Sequence, residues 1–229
     1  MNSRVAAALL AALVSACAQE ISRPERVERP APADFPEAYY LQAAAQGRAV
    51  FRVDAAQSLL VIEVRRGGSL ARIGHDHVVA SHDVAGYVVS DEGLSDLYVP
   101  LERLVVDEPE LRAETGFEMQ PSEADIEGTR GNMLEKVLDV EQYPFALVRV
   151  AGMSSGVSPL DVAITLHGVT RELKVPAQIE SGAREVGVSG RFELNQTDFG
   201  ITPFSILGGA IQVLDRLELR FRIRARQLD

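Results

Sequence analysis

Apolar and polar residues alternate without interruption near the C-terminal end of the chain. Between Arg216 and Ala225 every polar position is Arg or Glu, and each is followed by an apolar residue. The apolar positions are Leu217, Leu219, Phe221, Ile223 and Ala225. Because successive side chains of a strand point to opposite faces, this pattern predicts an antiparallel strand with one buried face and one wet face.

Similar patterns upstream predict a mainly β protein. We expect strands at residues 49–54, 58–66, 69–80, 83–89, 94–99, 101–106, 144–150, 160–166, 172–179, 186–194 and 210–225. Residues 39–47 are expected to form a short helix or turn. This series of strands, punctuated by turn signals in one domain, residues 49–229, predicts a closed, eight-stranded antiparallel barrel with a helical insertion.

The helical insertion is predicted from a change of period in the middle of the chain. Residues 109–115 and 122–138 are rich in Glu, Leu and Met, and Ser122 and Asp125 have the spacing of a capping box. Ile126, Thr129, Met133 and Val137 recur every three or four residues, which is typical of one face of an amphipathic helix.

The N-terminus has the features of a secretory signal. Arg4 precedes an apolar segment, residues 5–14, that is too short to span a bilayer. The small residues before Cys17 resemble a bacterial lipobox. We therefore expect a signal peptide at residues 1–16, acylation of Cys17, and a flexible, proline-rich tether over residues 17–48. An ordinary secretory signal cleaved near Ala16 or Ala18 is the alternative.

This N-terminus predicts the location and the membrane contact of the protein. An acylated Cys17 would hold it at the periplasmic face of a membrane, and Ala18 after the cysteine favours the outer membrane of a Gram-negative bacterium. Cys17 is the only cysteine, so the domain is stabilised by its core without disulfides. The net charge of −10 argues against a nucleic-acid partner and against electrostatic docking on anionic lipid.

Four stretches of the chain, taken in order, resemble the YceI-like family. They are residues 51–58 with Phe51-Arg52-Val53-Asp54 and Ser58, residues 132–145 with Tyr143-Pro144-Phe145, residues 166–171 with Gly168-Val169-Thr170, and residues 197–201 followed by Val213-Leu214-Asp215. The resemblance implies a lipocalin-like barrel that binds or transports an isoprenoid-like or other amphiphilic lipid in its lumen without catalysis. The only cofactor it implies is a bound isoprenoid or fatty amphiphile.

On this basis we expect two sets of ligand-binding residues. The predicted aromatic contacts in the wall of the lumen are Phe145, Phe192, Phe199, Phe204 and Phe221. The predicted polar contacts at the rim are His75, Asp76, His77 and Asp198. We identify no catalytic residue from the sequence.

Two other functions remain open at this point. His75 and His77 would share one face of a strand, and with His82 or His167 they could hold zinc, copper or haem iron. Alternatively, the barrel could have a filled core and act through its surface. The aliphatic, tryptophan-free composition suits either an isoprenoid tail or a packed core. We also consider assembly as a homodimer.

Overall fold

The computed structural model describes residues 31–117, 120–153 and 156–228, with the side chains of residues 156–158 excepted. The predicted signal peptide, the lipidation site Cys17 and the first part of the predicted tether lie outside these residues. No helix in the described ranges is both long enough and apolar enough to cross a membrane.

Fourteen strands and three α-helices make up the described fold. The strands are β1 Val50–Val53, β2 Leu59–Val64, β3 Arg66–Gly67, β4 His77–Ser81, β5 Ala85–Val89, β6 Leu94–Pro100, β7 Val105–Val106, β8 Phe145–Ala151, β9 Gly156–Leu166, β10 Val169–Ser181, β11 Glu185–Asn195, β12 Ser205–Ile206, β13 Ile211–Val213 and β14 Arg216–Gln227. The helices are α1 Glu37–Ala45, α2 Pro109–Thr115 and α3 Glu123–Asn132, the last continued by a π-helical segment, Met133–Val137.

Eight of the strands close into an antiparallel barrel in the order β1, β5, β6, β8, β9, β10, β11 and β14, with β14 returning to β1. One edge of β14 pairs with β11 along its whole length. Its other edge pairs first with β2, opposite Leu60 and its neighbours, and then with β1 at Val53. β4 and β7 extend the sheet beyond β2. The predicted fold class, a mainly β barrel with helices, is confirmed.

The alternation in β14 places its apolar side chains inside the barrel and its charged side chains outside. Leu217, Leu219, Phe221 and Ile223 line the interior. On the outer face Arg224 pairs with Glu180 at 2.7 Å. This strand is where the sequence pattern and the structure agree most closely.

Helices cover parts of the outer surface and one end of the barrel. α1 packs its buried Tyr40 against Val50, Tyr87 and Val89, although it falls within the region predicted as a flexible tether. α2 packs through Leu111 on the outer face of β2 and β4.

α3 begins with the predicted capping box. The Ser122 side chain accepts a hydrogen bond from the backbone N–H of Asp125, and the Asp125 side chain accepts one from the backbone N–H of Ser122. Arg130 then donates hydrogen bonds to the carbonyls of Glu102 and Leu104. These bonds fix α3 to the segment that precedes β7.

Several predicted strands are shorter than expected or interrupted. Residues 210–225, for example, are divided between β13 and β14, which belong to different sheets. Residues 69–80 were expected to be one strand, but a 3₁₀ turn at Ala71–Ile73 replaces the first part and β4 starts only at His77. Gly68 has φ of +90°, and the Leu70 N–H bonds the carbonyl of Ala210 at 2.8 Å, so this segment follows a neighbouring loop. Residues 101–106 likewise form a 3₁₀ turn and the two-residue strand β7.

Candidate functional site

The barrel encloses a cavity of about 520 Å³ with almost entirely apolar walls. Alternate residues of each strand supply the walls, for example Ala146, Val148 and Val150 from β8. A volume of this size lies within the range of roughly 300–1,000 Å³ that is typical of small-molecule sites. The interior of the barrel is therefore not filled by its own side chains.

The polar residues that line the cavity fall into two groups. Ser95 and Gln196 are buried, and their side chains already donate hydrogen bonds to the carbonyls of Tyr87 and Leu214. The other polar side chains belong to β13, α3 and the segment from β3 to β4, and they are Arg66, His75, His77, Asp125, Thr129, Asn132 and Gln212. This second group gives the cavity one polar end.

The polar end is also where the cavity reaches the surface. Ile73 and Ile206 both line the cavity, yet 60% and 45% of their surface is exposed. A long apolar group could thus lie along the barrel while a polar group attached to it meets the polar end.

His77 is held at the polar end by a buried ionic network. Its Nδ1 lies 2.6 Å from Oδ2 of Asp107, whose side chain is fully buried. Oδ1 of Asp107 accepts hydrogen bonds from the backbone N–H of Val78 at 3.0 Å and from Nη1 of Arg112 at 2.5 Å. Nη1 of Arg112 also donates to the carbonyl of Asp76 at 2.7 Å.

This network sets which nitrogen of His77 is available to a ligand. Burial alone would raise the pKa of the Asp107 carboxyl, but hydrogen bonds from His77 and Val78 and the charge of His77 outweigh it, and the pKa is lowered. Asp107 is therefore a carboxylate, which can only accept, so Nδ1 of His77 carries a proton. No contact of Nε2 occurs among the described hydrogen bonds, so this nitrogen of His77 is the one that can bond a ligand.

His75 and Asp125 lie beside His77. The rings of His75 and His77 are 6.1 Å apart and nearly perpendicular. Hydrogen bonds from the Ser122 hydroxyl and backbone N–H lower the pKa of the Asp125 carboxyl, and the nearby imidazoles of His75 and His77 lower it further. The polar end thus combines two imidazoles with a carboxylate.

Three of the five predicted wall residues line the cavity, namely Phe192, Phe204 and Phe221. Phe145 lies on the outer face, where its ring meets Tyr98 at 5.8 Å, because Ala146, Val148 and Val150 take the inward positions of β8. Phe199 is in a 3₁₀ turn, Gln196–Phe199, and packs as a core residue that is 1% exposed. These positions correct the expectation that both side chains contact the lumen.

Two of the four predicted rim residues, His75 and His77, line the cavity. Asp76 instead accepts the backbone N–H of Arg66 at 2.9 Å. Asp198 accepts a hydrogen bond from the side chain of Asn195 on an exposed turn. Asp76 and Asp198 therefore both bond nearby protein groups and do not line the cavity.

The other two histidines have partners away from the cavity. Nε2 of His82 lies 2.8 Å from Glu108, and the ring of His167 packs on Tyr143. In the described part of the chain, no three His, Cys, Asp or Glu side chains gather into a group that could hold a metal ion.

Asp107 and Arg112 were not found from the sequence. Asp107 is thirty residues from His77 in the chain, and the two meet because β7 pairs with β4 at Val79 and Val106. The available signal was Asp107 itself, an acidic residue directly after the apolar pair Val105-Val106.

Comparison with known proteins agrees with this architecture. The family model of the YceI-like domain matches residues 51–225. A comparison with curated proteins gave no significant match.

Two solved structures have a similar fold. A polyisoprenoid binding domain from Saccharophagus degradans is 13% identical, with a TM-score of 0.56 over 79% of this chain and 99% of that one. BcnA of Burkholderia cenocepacia is also 13% identical, with a TM-score of 0.54 over 75% and 98% of the two chains. Because the family model covers most of the chain and the same barrel is found, this protein belongs to the YceI-like family.

Proposed function

We propose that the protein binds an amphiphilic lipid of the isoprenoid type, without catalysis, and carries it between membranes or enzymes. The observation that supports this function most directly is the open apolar cavity of about 520 Å³ inside a closed barrel. Burying an apolar chain there would contribute ~25 cal/mol for each Å² of surface removed from water. The similar fold of a polyisoprenoid binding domain from Saccharophagus degradans is consistent with such a ligand.

The polar end would recognise the head group. Nε2 of His77, oriented by Asp107, can exchange hydrogen bonds with a hydroxyl or carbonyl group, and so can Asn132 and Thr129, which also line the cavity. A few polar groups at one end of an apolar site fix the orientation of a ligand. The tail would then run from the polar end toward the opposite end of the barrel.

We further propose that the protein works at the periplasmic face of a membrane, anchored through an acylated Cys17. The support for this location is the sequence of the N-terminus, where an apolar segment and small residues precede the single cysteine. Mass spectrometry of the protein isolated from its host tests the acylation directly.

A change that fills the cavity tests the carrier function. Val188 lines the cavity, so we expect Val188→Phe to reduce the binding of a fluorescent long-chain isoprenoid alcohol at least tenfold, because the ring occupies the space of the tail. Urea unfolding should change little, since an open cavity accepts the ring, whereas overpacking a filled core costs about 1–3 kcal/mol.

Val105→Phe is the matched control, because Val105 is 39% exposed on β7. It should bind the alcohol as the wild type does. If the wild type binds no such lipid, or if both variants bind it equally well, the proposed carrier function is wrong.

A further inference from the structure

Exposed apolar side chains are concentrated at one end of the barrel. Seven large apolar residues are exposed among the described residues. Three of them lie in β12 or next to an end of β12 or β13, and a fourth lies in the 3₁₀ turn Ala71–Ile73 that follows β3. We call these four the apolar rim: Ile73, Ile206, Leu207 and Leu214. Single exposed apolar residues are ordinary, but a contiguous group marks an interaction site.

The backbone holds the apolar rim together. β12, β13 and β3 form a small antiparallel sheet, and the Leu70 N–H bonds the carbonyl of Ala210, which brings the 3₁₀ turn containing Ile73 to the same place. Leu207 is 70% exposed and has φ of +52°, a left-handed conformation that is unfavourable for leucine. The most exposed residue of the rim is thus held outward in a strained turn.

We propose that the apolar rim inserts into the interface of a phospholipid bilayer and that lipid enters the cavity there. Ile73 and Ile206 belong both to the rim and to the cavity wall, so an apolar path leads from the surface into the barrel. A tail that follows this path never enters water, which removes the main barrier to extraction from a bilayer.

The charge next to the rim suits a lipid head group. Arg72 is exposed and directly precedes Ile73, where its guanidinium can pair with a lipid phosphate. The chain as a whole has a net charge of −10, so this attraction is local and apolar contact drives the insertion. The entry of lipid at the apolar rim rests on the proposed carrier function. The contact of the rim with a bilayer can be measured separately.

A single introduced tryptophan tests the contact, because the chain contains no tryptophan. Leu207→Trp is made in the full chain and mixed with vesicles of equimolar phosphatidylethanolamine and phosphatidylglycerol that carry brominated acyl chains. The matched control is Leu41→Trp, at a position 49% exposed on α1. Both variants keep the same N-terminus, so any acyl anchor acts equally on both.

We expect a blue shift and strong bromine quenching at position 207 and neither at position 41, since interfacial segments bury their apolar side chains about 5–10 Å deep. Equal quenching at both positions, or none at position 207, would overturn the proposal. A blue shift that depends on protein concentration and not on vesicles would show that the rim contacts a second copy, and would also overturn it.

A transfer assay separates the rim from the cavity. Leu207→Asp should slow the uptake of a fluorescent isoprenoid alcohol from vesicles roughly tenfold, while binding from detergent solution stays unchanged because Leu207 lies outside the cavity lining. Leu41→Asp should slow neither process. Unchanged uptake by Leu207→Asp contradicts the role of the rim, whereas a wild type that binds nothing from detergent contradicts the carrier function alone.

Discussion

Asp107 shows how one buried side chain can organise the polar end of the barrel. Its carboxylate has no exposed surface, and it accepts bonds from His77, from the backbone of Val78 and from Arg112, which is itself 3% exposed. Removing one member of a buried ion pair is much more costly than removing an exposed one, because the other charge stays out of water.

We therefore expect Asp107→Asn to lower the free energy of unfolding by about 3–5 kcal/mol in urea titrations. The matched control is Asp161→Asn, because Asp161 pairs with Lys174 on the surface and 61% of its side chain is exposed. That change should cost no more than about 1 kcal/mol. Equal effects of the two substitutions would mean that the network around Asp107 contributes little.

The same carboxylate gives the fold a pH dependence of predictable sign. The pKa of Asp107 is lowered from its ordinary value of 3.8, so near this pH the unfolded state binds more protons than the folded state. The stability that Asp107 contributes is thus fully present above pH 3.8. It is lost as the pH falls through the lower pKa that Asp107 has in the folded state. The difference in unfolding free energy between the wild type and Asp107→Asn should therefore shrink as the pH is lowered from 3.8 through the pKa of Asp107 in the folded state. A difference that grows toward acid would contradict this assignment.

The sequence could indicate some of the residues that line the cavity but not the partners of those residues. His75 and His77 are predicted at the rim, and both line the cavity. Phe145 was placed inside, although Arg149 has the same parity in β8 and lies on the outside. The contact between His77 and Asp107 depends on a pairing of strands distant in sequence, and the residue types alone do not encode it.

At the scale of elements, α1 is part of the folded domain. Tyr40 is completely buried against Val50, Tyr87 and Val89, and its hydroxyl donates to Asp96 at 2.8 Å. Burial, with the hydrogen bond to Asp96 and its negative charge, raises the pKa of Tyr40 far above its usual range, so this hydroxyl stays a donor. Tyr40 thus joins the helix to the barrel through both an apolar contact and a hydrogen bond.

Replacing that side chain should release α1. We expect Tyr40→Ala to cost about 3–5 kcal/mol, as for other buried aromatic residues, and to speed hydrogen exchange throughout residues 37–45. Leu41→Ala is the control from the same helix, since Leu41 is 49% exposed, and it should leave exchange in the helix largely unchanged. If both variants exchange at the wild-type rate, α1 is held by other contacts.

Helices and strands with a clear period of apolar residues could be predicted from the sequence. Segments whose conformation depends on a neighbouring loop could not. α2 occupies the predicted residues 109–115, and β14 follows the alternation of its sequence. Residues 69–76 belong to the strand predicted at residues 69–80, but the structure has no strand there. Gly68, with its positive φ, and the bond from Leu70 to Ala210 instead form a loop, which is a tertiary constraint that no local pattern contains.

For the whole molecule, the central question left open by the sequence was whether the barrel is filled. An aliphatic lining is compatible with either a packed core or a ligand tunnel. In the structure, strands whose inward residues are mainly Val, Leu and Ile enclose about 520 Å³ that these side chains do not fill. An apolar cavity of this size is disfavoured in a well-packed protein unless a ligand occupies it, because interiors are normally close-packed.

Native mass spectrometry of the full chain, isolated gently from its own host, tests the proposed carrier function most directly. We expect one additional mass per protein, which organic extraction releases as a lipid with a long apolar chain. Val188→Phe protein isolated in the same way should lack this mass. Repeated recovery of protein with no bound lipid, under conditions that preserve other lipid complexes, would contradict it.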